Sequence, residues 1–543
     1  MKHIVLSLTL LLCLPAVSRA HFIWVLTGAG ENAGRVQVFF GEAAEPDDPE
    51  LLDRIIKAEA WSVGGRGKPE KLSLSKGEAA LEATLSERAS QNAVVLKHTY
   101  GVFTRGQASF LLNYYAKSYP FALPGTWNAI EDKERLPLEI VPTRDGNTTV
   151  LQLTWQGKPS ANSEIVIVGP GIKDKLEGMT DEAGNFRCEL PAAGVYSIRG
   201  KITEEGEGTH NGEKYGSIRH YTTLTLHNVP SQFQNAKHKL AELPQGITSF
   251  GGAIVGDTFY AYGGNYGSAH EYTNEEQSND LWALNLADGT EWKKVSTGPR
   301  LQGLAMVAHN GLLYRVGGFT AMNKAGQEQD LQSQASVARF NPQSGKWQEL
   351  PPLPEPRSSH DAAVLGDTLY VAGGWNMPGA GKDRVWHETA WTLDLSKDDA
   401  QWKAIATPPF QRRALSLAAW DGKMYCIGGM KMEGGPTTQA NVYDPETDSW
   451  SDAPSLLGTS MDGFGSSAFA CDGALYVSTI SGSLQRLSAD GKSWDFVSQF
   501  EHPRFFHRML PWKDSNLVAV GGGNMSVGKV TEVDVIPVRK HQK

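Results

Sequence analysis

The sequence predicts an all-β protein in which a β-sandwich-like N-terminal region precedes a six-bladed β-propeller. Two recurring features of the second half predict the propeller. Adjacent glycines follow a hydrophobic strand at a nearly fixed interval, and a tryptophan recurs late in each interval. The glycine pairs are Gly263-Gly264, Gly317-Gly318, Gly373-Gly374, Gly428-Gly429 and Gly521-Gly522, and the tryptophans are Trp292, Trp347, Trp402, Trp450 and Trp494. Strand-rich repeats of roughly 40 to 55 residues are typical of propeller blades.

The first 20 residues have the pattern of a signal peptide. Lys2 precedes an apolar run, and Ser18 and Ala20 occupy the small-residue positions of a cleavage site, so the mature chain is expected to begin at His21. No later stretch is apolar for long enough to span a membrane. The chain carries 51 basic and 60 acidic side chains, which disfavours nucleic acid as a partner. We therefore predict a secreted or periplasmic protein without a transmembrane segment.

Residues 21–228 are predicted to form a β-rich N-terminal domain. Hydrophobic runs indicate strands at Phe22–Leu26 and Val36–Phe40, and alternation becomes clearer over 148–226, where turn residues separate four further strands. This second part predicts a small immunoglobulin-like sandwich. Its segment 180–186 resembles a turn of carboxypeptidase-regulatory-like modules.

Residues 229–538 are predicted to form the propeller, each blade being a meander of four antiparallel strands. Turns such as Gly366-Asp367 join the first two strands of a blade. The fifth unit has Ser478-Thr479-Ile480 where the glycine pair is expected, and the sixth ends without a fourth strand or a tryptophan. We expect a strand at residues 239–244 to complete the last blade and leave no edge exposed.

These repeats resemble the kelch family, whose blades carry a glycine pair, an aromatic residue in the third strand and a spaced tryptophan. Val442-Tyr443-Asp444-Pro445 is an example of the aromatic third strand, and the resemblance covers residues 236–538. Kelch-type propellers include the central domain of galactose oxidase and the periplasmic sialic acid mutarotases. The resemblance implies that the loops after the glycine pairs share a face with the segments that lead into each innermost strand.

The candidate ligand-binding residues lie in those loops and segments. They are Arg300, Arg357, His360, Trp375, Arg412, Arg413, Arg504 and His507. One interpretation is a ring of guanidinium groups that binds a carboxylate or a polar glycan. The other is that arginines at this repeat position only pair with carbonyls at the blade ends, and the sequence leaves both open.

The N-terminal region is similar to secreted bacterial domains associated with nickel or cobalt uptake. The resemblance rests on His21-Phe22-Ile23-Trp24, Phe39-Phe40-Gly41-Glu42 and Arg219-His220-Tyr221, and it implies a role with a divalent metal. The residues add an independent argument, because the α-amine and the imidazole of His21 can together chelate copper, nickel or cobalt. A second histidine would complete such a site, and the candidates are His98, His210 and His220.

The function predicted from the sequence is a binding protein whose propeller recognises a protein or a glycan. One alternative is a propeller enzyme similar to the sialic acid mutarotases, with Glu271 or Glu388 as the acid or base. Another is an accessory protein for metal uptake. The radical copper oxidases are rejected, because Cys426 and Cys471 lack the sequence context of their crosslinked cysteine.

Overall fold

The computed structural model describes residues 21–28, 34–64, 68–85, 92–119, 131–145, 148–192, 194–228, 240–268, 270–500, 502–513, 515–524 and 528–538. The predicted signal peptide lies outside these residues. Nearly every regular element within them is a β-strand, as the sequence predicted, and the exceptions are two short 3-10 helices at Pro49–Arg54 and Ser460–Gly463. Among the described residues, no helix has the length and apolar character needed to cross a membrane.

The described residues of the N-terminal region form sixteen strands in three sheets. The strands are β1 (Phe22–Thr27), β2 (Arg35–Gly41), β3 (Glu59–Val63), β4 (Glu70–Leu72), β5 (Ser75–Lys76), β6 (Leu81–Thr84), β7 (Ala93–Arg105), β8 (Ala108–Ser118), β9 (Leu138–Asp145), β10 (Thr148–Trp155), β11 (Lys158–Pro159), β12 (Glu164–Val168), β13 (Leu176–Met179), β14 (Asn185–Glu189), β15 (Gly194–His210) and β16 (Glu213–Asn228). An eight-stranded sheet has the order β13-β12-β15-β16-β8-β7-β3-β4. The two smaller sheets are β1-β2-β6-β5 and β11-β10-β14 with β9 paired to β10.

The eight-stranded sheet packs against a smaller sheet on each of its faces. One core contains Ile23 and Val38 of the first small sheet together with Leu96 and Tyr114 of the large sheet. The other core contains Leu151 of β10 and residues of the large sheet such as Ile198. This part of the chain is therefore a three-layer β structure. The sandwich predicted over 148–226 is a portion of it, because the large sheet also takes strands from residues 59–118.

Six antiparallel sheets follow, one for each predicted blade. Blade 1 contains β17 (Gly251–Val255), β18 (Thr258–Tyr262), β19 (Asp280–Asn285) and β20 (Trp292–Thr297). Blade 2 contains β21 (Ala305–His309), β22 (Leu312–Val316), β25 (Val337–Asn341) and β26 (Lys346–Leu350), with a loop hairpin of β23 (Phe319–Ala321) and β24 (Leu331–Ser333). Blade 3 contains β27 (Asp361–Leu365), β28 (Thr368–Ala372), β31 (Trp391–Asp394) and β32 (Lys403–Ala404), with a hairpin of β29 (Trp375–Asn376) and β30 (Val385–Trp386).

The last three blades are built in the same way. Blade 4 contains β34 (Ser416–Trp420), β35 (Lys423–Ile427), β37 (Ala440–Asp444) and β38 (Ser449–Ala453), with β33 (Arg412–Arg413) paired to β36 (Met430–Lys431). Blade 5 contains β39 (Ser467–Cys471), β40 (Ala474–Ser478), β41 (Ser483–Leu487) and β42 (Trp494–Gln499). Blade 6 contains β43 (Arg508–Trp512), β44 (Asn516–Val520) and β47 (Asp534–Pro537), with a hairpin of β45 (Gly523–Asn524) and β46 (Gly528–Lys529).

The glycine pairs and the tryptophans both connect neighbouring blades. The second glycine of a pair donates its N–H to a carbonyl of the next blade, as Gly318 does to Arg357 at 2.8 Å. The indole N–H of a fourth-strand tryptophan bonds to the end of the preceding blade, as Trp402 does to the carbonyl of Pro351 at 2.9 Å. The repeated residues thus hold the ring together.

The last blade differs from the expectation of a completing N-terminal strand. Within the described residues, blade 6 has three strands, and residues 240–244 form none; residue 239 lies outside the described residues. This segment instead contributes buried Leu240 and Leu243 to the core between the first and last blades. One backbone bond connects it to blade 6, from the N–H of Leu243 to the carbonyl of Thr531 at 2.8 Å.

Candidate functional site: the loop face of the propeller

The loops after the glycine pairs and the starts of the innermost strands meet on one face, which we call the loop face. Isolated β-bridges join the two sets directly, as between Ser358 and Trp375 and between Gln302 and Phe319. This is the arrangement that the kelch resemblance implied. Every propeller residue predicted to bind ligand therefore belongs to the region of the loop face, and its exposure decides its role.

A closed ring of backbone hydrogen bonds surrounds the propeller axis on this face. In each blade, the residue two positions before the innermost strand donates its N–H to the carbonyl of the equivalent residue in the preceding blade, with donor–acceptor distances between 2.7 and 3.1 Å. The six residues all have positive φ angles, and they are Ser249, Gly303, Ser359, Ala414, Gly465 and Phe506. Since the last bond runs from Ser249 to Phe506, blade 1 and blade 6 are joined, and the circle closes.

The cavity at the axis is small and has a mixed polar and apolar lining. It has a volume of about 60 Å³ and is lined by the ring residues and by the residues that follow them. An ion pair crosses it, because Nη1 of Arg508 in blade 6 lies 2.9 Å from Oδ1 of Asp361 in blade 3, the blade on the opposite side. Such a volume accommodates a few water molecules and not a sugar ring.

Three of the predicted ligand-binding arginines are structural. Arg357, Arg412 and Arg504 are at most 2% exposed. Each directs Nη1 at the carbonyl of the first glycine in its own blade and at a carbonyl before the third strand; for Arg357 these acceptors are Gly373 at 2.8 Å and Thr389 at 2.9 Å. Burial lowers the pKa of Arg357 to about 10, although Glu355 opposes the shift. The structure thus places these three guanidinium groups against blade-end carbonyls, which is the second of the two interpretations that the sequence left open.

The two predicted histidines are also interior residues. His360 and His507 are 4% and 3% exposed, and they occupy the repeat position that holds Phe250, Leu304 and Leu415 in other blades. The imidazole of His360 approaches Gly317 of the preceding blade, where a Cβ would lie 2.8 Å from its Cε1. Burial, followed by the charge of Arg357, holds the pKa of His360 well below its ordinary value. These histidines pack between blades and line only the small axial cavity.

Arg300 has a partner within its own loop region. Its side chain is partly exposed, and its Nη1 contacts the carbonyl of Gln277. The residue stands one position before Leu301, which takes the repeat position of the three buried arginines. Arg300 is thus available at the surface only in part.

The remaining predicted residues, Trp375 and Arg413, form the chemically unusual part of the loop face. The guanidinium carbon of Arg413 lies 4.2 Å from the ring centroid of Trp375, and that of Arg384 lies 4.8 Å from the same ring. Trp386 packs edge-on against Trp375 at 5.3 Å between centroids. We call these four residues the arginine–tryptophan cluster. The β29–β30 hairpin positions three of them, and β33 positions Arg413.

The cluster leaves polar groups unpaired. Within the part of the chain that the structure describes, no carboxylate lies within ion-pair distance of Arg384 or Arg413. The buried Nε of Arg413 and the buried indole Nε1 of Trp375 have no hydrogen-bond partner there. Burial lowers the pKa of Arg413, and Arg384 adds to this effect while Tyr272 opposes it. Sequence reasoning missed Arg384 and Trp386, since they lie in a long loop whose fold brings them to Trp375.

The predicted metal-ligating histidines do not form one site. Nε2 of His21 lies 3.5 Å from Oδ2 of Asp47, whereas Nε2 of His98 contacts the carbonyl of Arg54 at 3.2 Å. His210 contacts Asn211 near the end of β15. Among the described residues, no three histidine, cysteine, aspartate or glutamate side chains are grouped so as to hold a metal ion.

His220 is excluded as a partner for His21 by the geometry of its strand. Its two ring nitrogens contact Tyr115 and Glu204, each at 3.2 Å. Its neighbour Tyr221 packs in the core that contains the residues next to His21, and successive strand residues point to opposite faces of a sheet. His220 therefore lies on the other face of the large sheet, and the prediction that it joins His21 is wrong.

Comparisons with known proteins agree with the propeller geometry. Residues 303–523 match the family model described as the KLHDC2/KLHL20/DRC7 kelch-repeats domain, so this part of the chain contains kelch repeats. Kelch-like protein 35 of Mus musculus is 29% identical over 200 residues, which are 37% of this chain and 30% of that protein. N-acetylneuraminate epimerase of Haemophilus influenzae is 34% identical over 141 residues, which are 24% of this chain and 35% of that protein.

One solved structure, titled "Structure of YjhT", is similar with a TM-score of 0.45 and 19% identity, and the match covers 55% of this chain and 97% of that one. Of the two curated relatives, Kelch-like protein 35 and N-acetylneuraminate epimerase, the chain spans about a third of the length of each.

Proposed function

We propose that this protein is a binding protein whose arginine–tryptophan cluster recognises an anionic segment of a protein partner. The observation that carries the proposal is the pair of guanidinium groups that lie against the ring of Trp375 without a carboxylate partner among the described residues. Desolvated arginines bind carboxylates strongly, because the guanidinium group offers paired donors in a fixed plane. A partner that supplies the missing carboxylate would satisfy both.

Exposed apolar side chains near the cluster favour a protein over a glycan. Met322, Val385 and Met432 are 50 to 55% exposed, and each lies in the loop that follows the glycine pair of its blade. Large apolar side chains in contact with solvent on neighbouring loops are typical of protein-binding surfaces. The small axial cavity speaks against the alternative of an enzyme that encloses a sugar.

Binding measurements with the whole chain test the proposal. Acidic peptides from a displayed peptide library should bind wild-type protein with an affinity that falls as salt is raised. Arg384→Ala should weaken this binding at least tenfold. Lys403→Ala removes an exposed cation from an outer strand of the same blade and should leave binding unchanged. Binding that is equal in Arg384→Ala and wild type would refute the role of the cluster, and retention of glycans instead of peptides would favour the glycan alternative.

A second proposal concerns a divalent metal, copper, nickel or cobalt, at His21. It is supported by the position of the imidazole beside the Asp47 carboxylate, and the α-amine that cleavage after Ala20 would free supplies a further donor. Both donor types suit these borderline cations. Both of these side chains belong to the N-terminal region, and secretion itself remains a prediction.

Metal analysis distinguishes this site from adventitious binding. Mature protein that begins at His21 should retain one equivalent of copper or nickel after dialysis, and Asp47→Asn should retain less. A protein with one extra residue before His21 should lose the metal, because its α-amine no longer belongs to the chelating residue. Equal metal content in the two proteins would contradict the proposal.

A further inference from the structure

A buried ion pair connects two different sheets of the N-terminal region, between which no described strands are paired. Lys117 lies near the end of β8 in the eight-stranded sheet, and Glu139 lies at the start of β9 in the sheet of β10. Both side chains are only 2% exposed. Nζ of Lys117 contacts Oε1 of Glu139 directly. The contact therefore bridges two layers of the core.

Burial of two opposite charges is costly unless they are fully paired, because desolvation removes several kcal/mol of hydration from each ion. Burial opposes the charged form of Lys117, but Tyr119 and Glu139 outweigh it and raise the pKa of Lys117. The resting pair is thus an ammonium beside a carboxylate. Transfer of one proton from Nζ to Oε1 converts it into a neutral amine beside a carboxylic acid.

The groups around Glu139 are arranged as in a site for acyl transfer. The second carboxylate oxygen, Oε2, accepts the backbone N–H of Asp132 at 3.1 Å. That donor would stabilise negative charge on Oε2 when a nucleophile adds to Cδ. The Lys117 ammonium contacts the other carboxylate oxygen, Oε1, and its Nζ is 5.4 Å from the ring centroid of Tyr119. Burial raises the pKa of Tyr119, which keeps the phenol protonated and able to donate.

We propose that Lys117 and Glu139 become joined by an amide bond within the folded chain. Proton transfer to Oε1 first gives the neutral pair. The lone pair of Nζ then attacks Cδ, and charge gathers on Oε2 beside the N–H of Asp132. The C–Oε1 bond breaks, and Oε1 leaves as water with two protons that come from the former ammonium. The reaction consumes one ammonium and one carboxylate, releases one water molecule and requires no oxidant or cofactor.

Two physical effects favour this product over the free pair. A nucleophile held against its electrophile in a folded protein reacts with an effective molarity that can reach about 10⁵–10⁸ M. The product is also uncharged, so the cost of the buried ion pair disappears. The three described cysteines, Cys188, Cys426 and Cys471, are free and buried, and the amide would thus supply a covalent link between layers that no disulfide among the described residues provides.

Intact mass measured under denaturing conditions decides the proposal without any variant. We expect the purified whole chain to weigh less than its sequence mass by one water molecule. Proteolysis should yield a branched peptide that joins Lys117 to Glu139, with no tryptic cleavage after Lys117. A mass equal to that of the sequence, or a water loss that maps to another position, would overturn the proposal.

Variants identify the chemistry. Glu139→Gln keeps the shape of the electrophile and should form the same amide with loss of one ammonia molecule. A double variant, Lys117→Met with Glu139→Leu, replaces the pair by apolar groups of similar size, which cores commonly tolerate. It should fold, show no mass loss and unfold at a lower temperature than wild type. A water loss retained in the double variant would also overturn the proposal.

Discussion

Replacement of Arg357 by alanine separates the two roles that the sequence left open for the arginine repeat. Arg357 is fully buried, and its guanidinium group donates to Gly373 and Thr389 carbonyls, to the Thr389 hydroxyl at 2.5 Å and to Glu355 at 3.1 Å. Removal of the group leaves these acceptors without a donor and opens a cavity. At about 1 kcal/mol for each lost bond, with a similar amount for the cavity, the propeller should lose about 4–5 kcal/mol.

The assay is thermal unfolding of the whole chain, followed by near-ultraviolet circular dichroism of the propeller tryptophans. A unit of this size shifts its midpoint by about 2 °C for each kcal/mol, so the transition should fall by about 8–10 °C. Arg300→Ala is the matched control, because Arg300 is partly exposed and its guanidinium group contacts, among the described residues, two carbonyls of the blade 1 loop, Glu275 and Gln277. Its effect should stay below about 1 kcal/mol. An Arg357→Ala protein that keeps its stability but loses ligand would refute the structural role.

Three further changes test other parts of the propeller. Gly318→Ala should lower the free energy of unfolding, measured by urea titration, by about 2 kcal/mol or more, because φ is +100° and a Cβ would lie 2.9 Å from a neighbouring side chain. Gly345→Ala is the control: a Cβ there would meet open space, so the same titration should show a clearly smaller loss. Trp402→Phe should cost about 1 kcal/mol through loss of its bond to the preceding blade, and an unchanged urea midpoint would contradict that bond. The Asp534 carboxylate raises the pKa of His502 in the folded protein. The stability that this ion pair contributes is therefore present below the unfolded-state pKa of the histidine and declines as the pH rises through its folded-state pKa. His502→Gln should flatten the fall in unfolding temperature between mildly acidic and mildly alkaline pH, and a pH profile identical to that of wild type would exclude a contribution from the His502–Asp534 pair.

The propeller could be predicted from sequence because its repeats are local. A glycine pair, a turn and a tryptophan lie within one blade, and their regular spacing reflects a contact that each blade makes with its neighbour. Even the lapse at residues 478–480 falls in the expected blade. Closure of the circle from the N-terminal side was expected, but the bond from Ser249 to Phe506 that joins the first and last blades was not predicted, since it links residues from opposite ends of the repeat array.

The candidate site was harder to predict because residue type says nothing about direction. Arg412 and Arg413 are adjacent, yet Arg412 is buried among blade carbonyls while Arg413 stacks on Trp375. Alternation along a short strand separates them, and only the folded chain shows which one turns inward. Likewise, His220 and His98 were equivalent candidates until the sheet placed His220 on the far face.

The sequence alone thus determined the fold class, the number of blades and the residues that tie the blades together, because these depend on a short pattern repeated in phase. The tertiary structure decided which charged groups are used up in that framework and which remain available. The guanidinium groups of Arg357 and its equivalents are paired with carbonyls that no sequence pattern brings near them. Arg384 and Arg413 both lie against Trp375, and neither has a carboxylate partner within the part of the chain that the structure describes. That difference matters for binding, because a guanidinium group that is already paired within the fold has fewer donors left for a ligand.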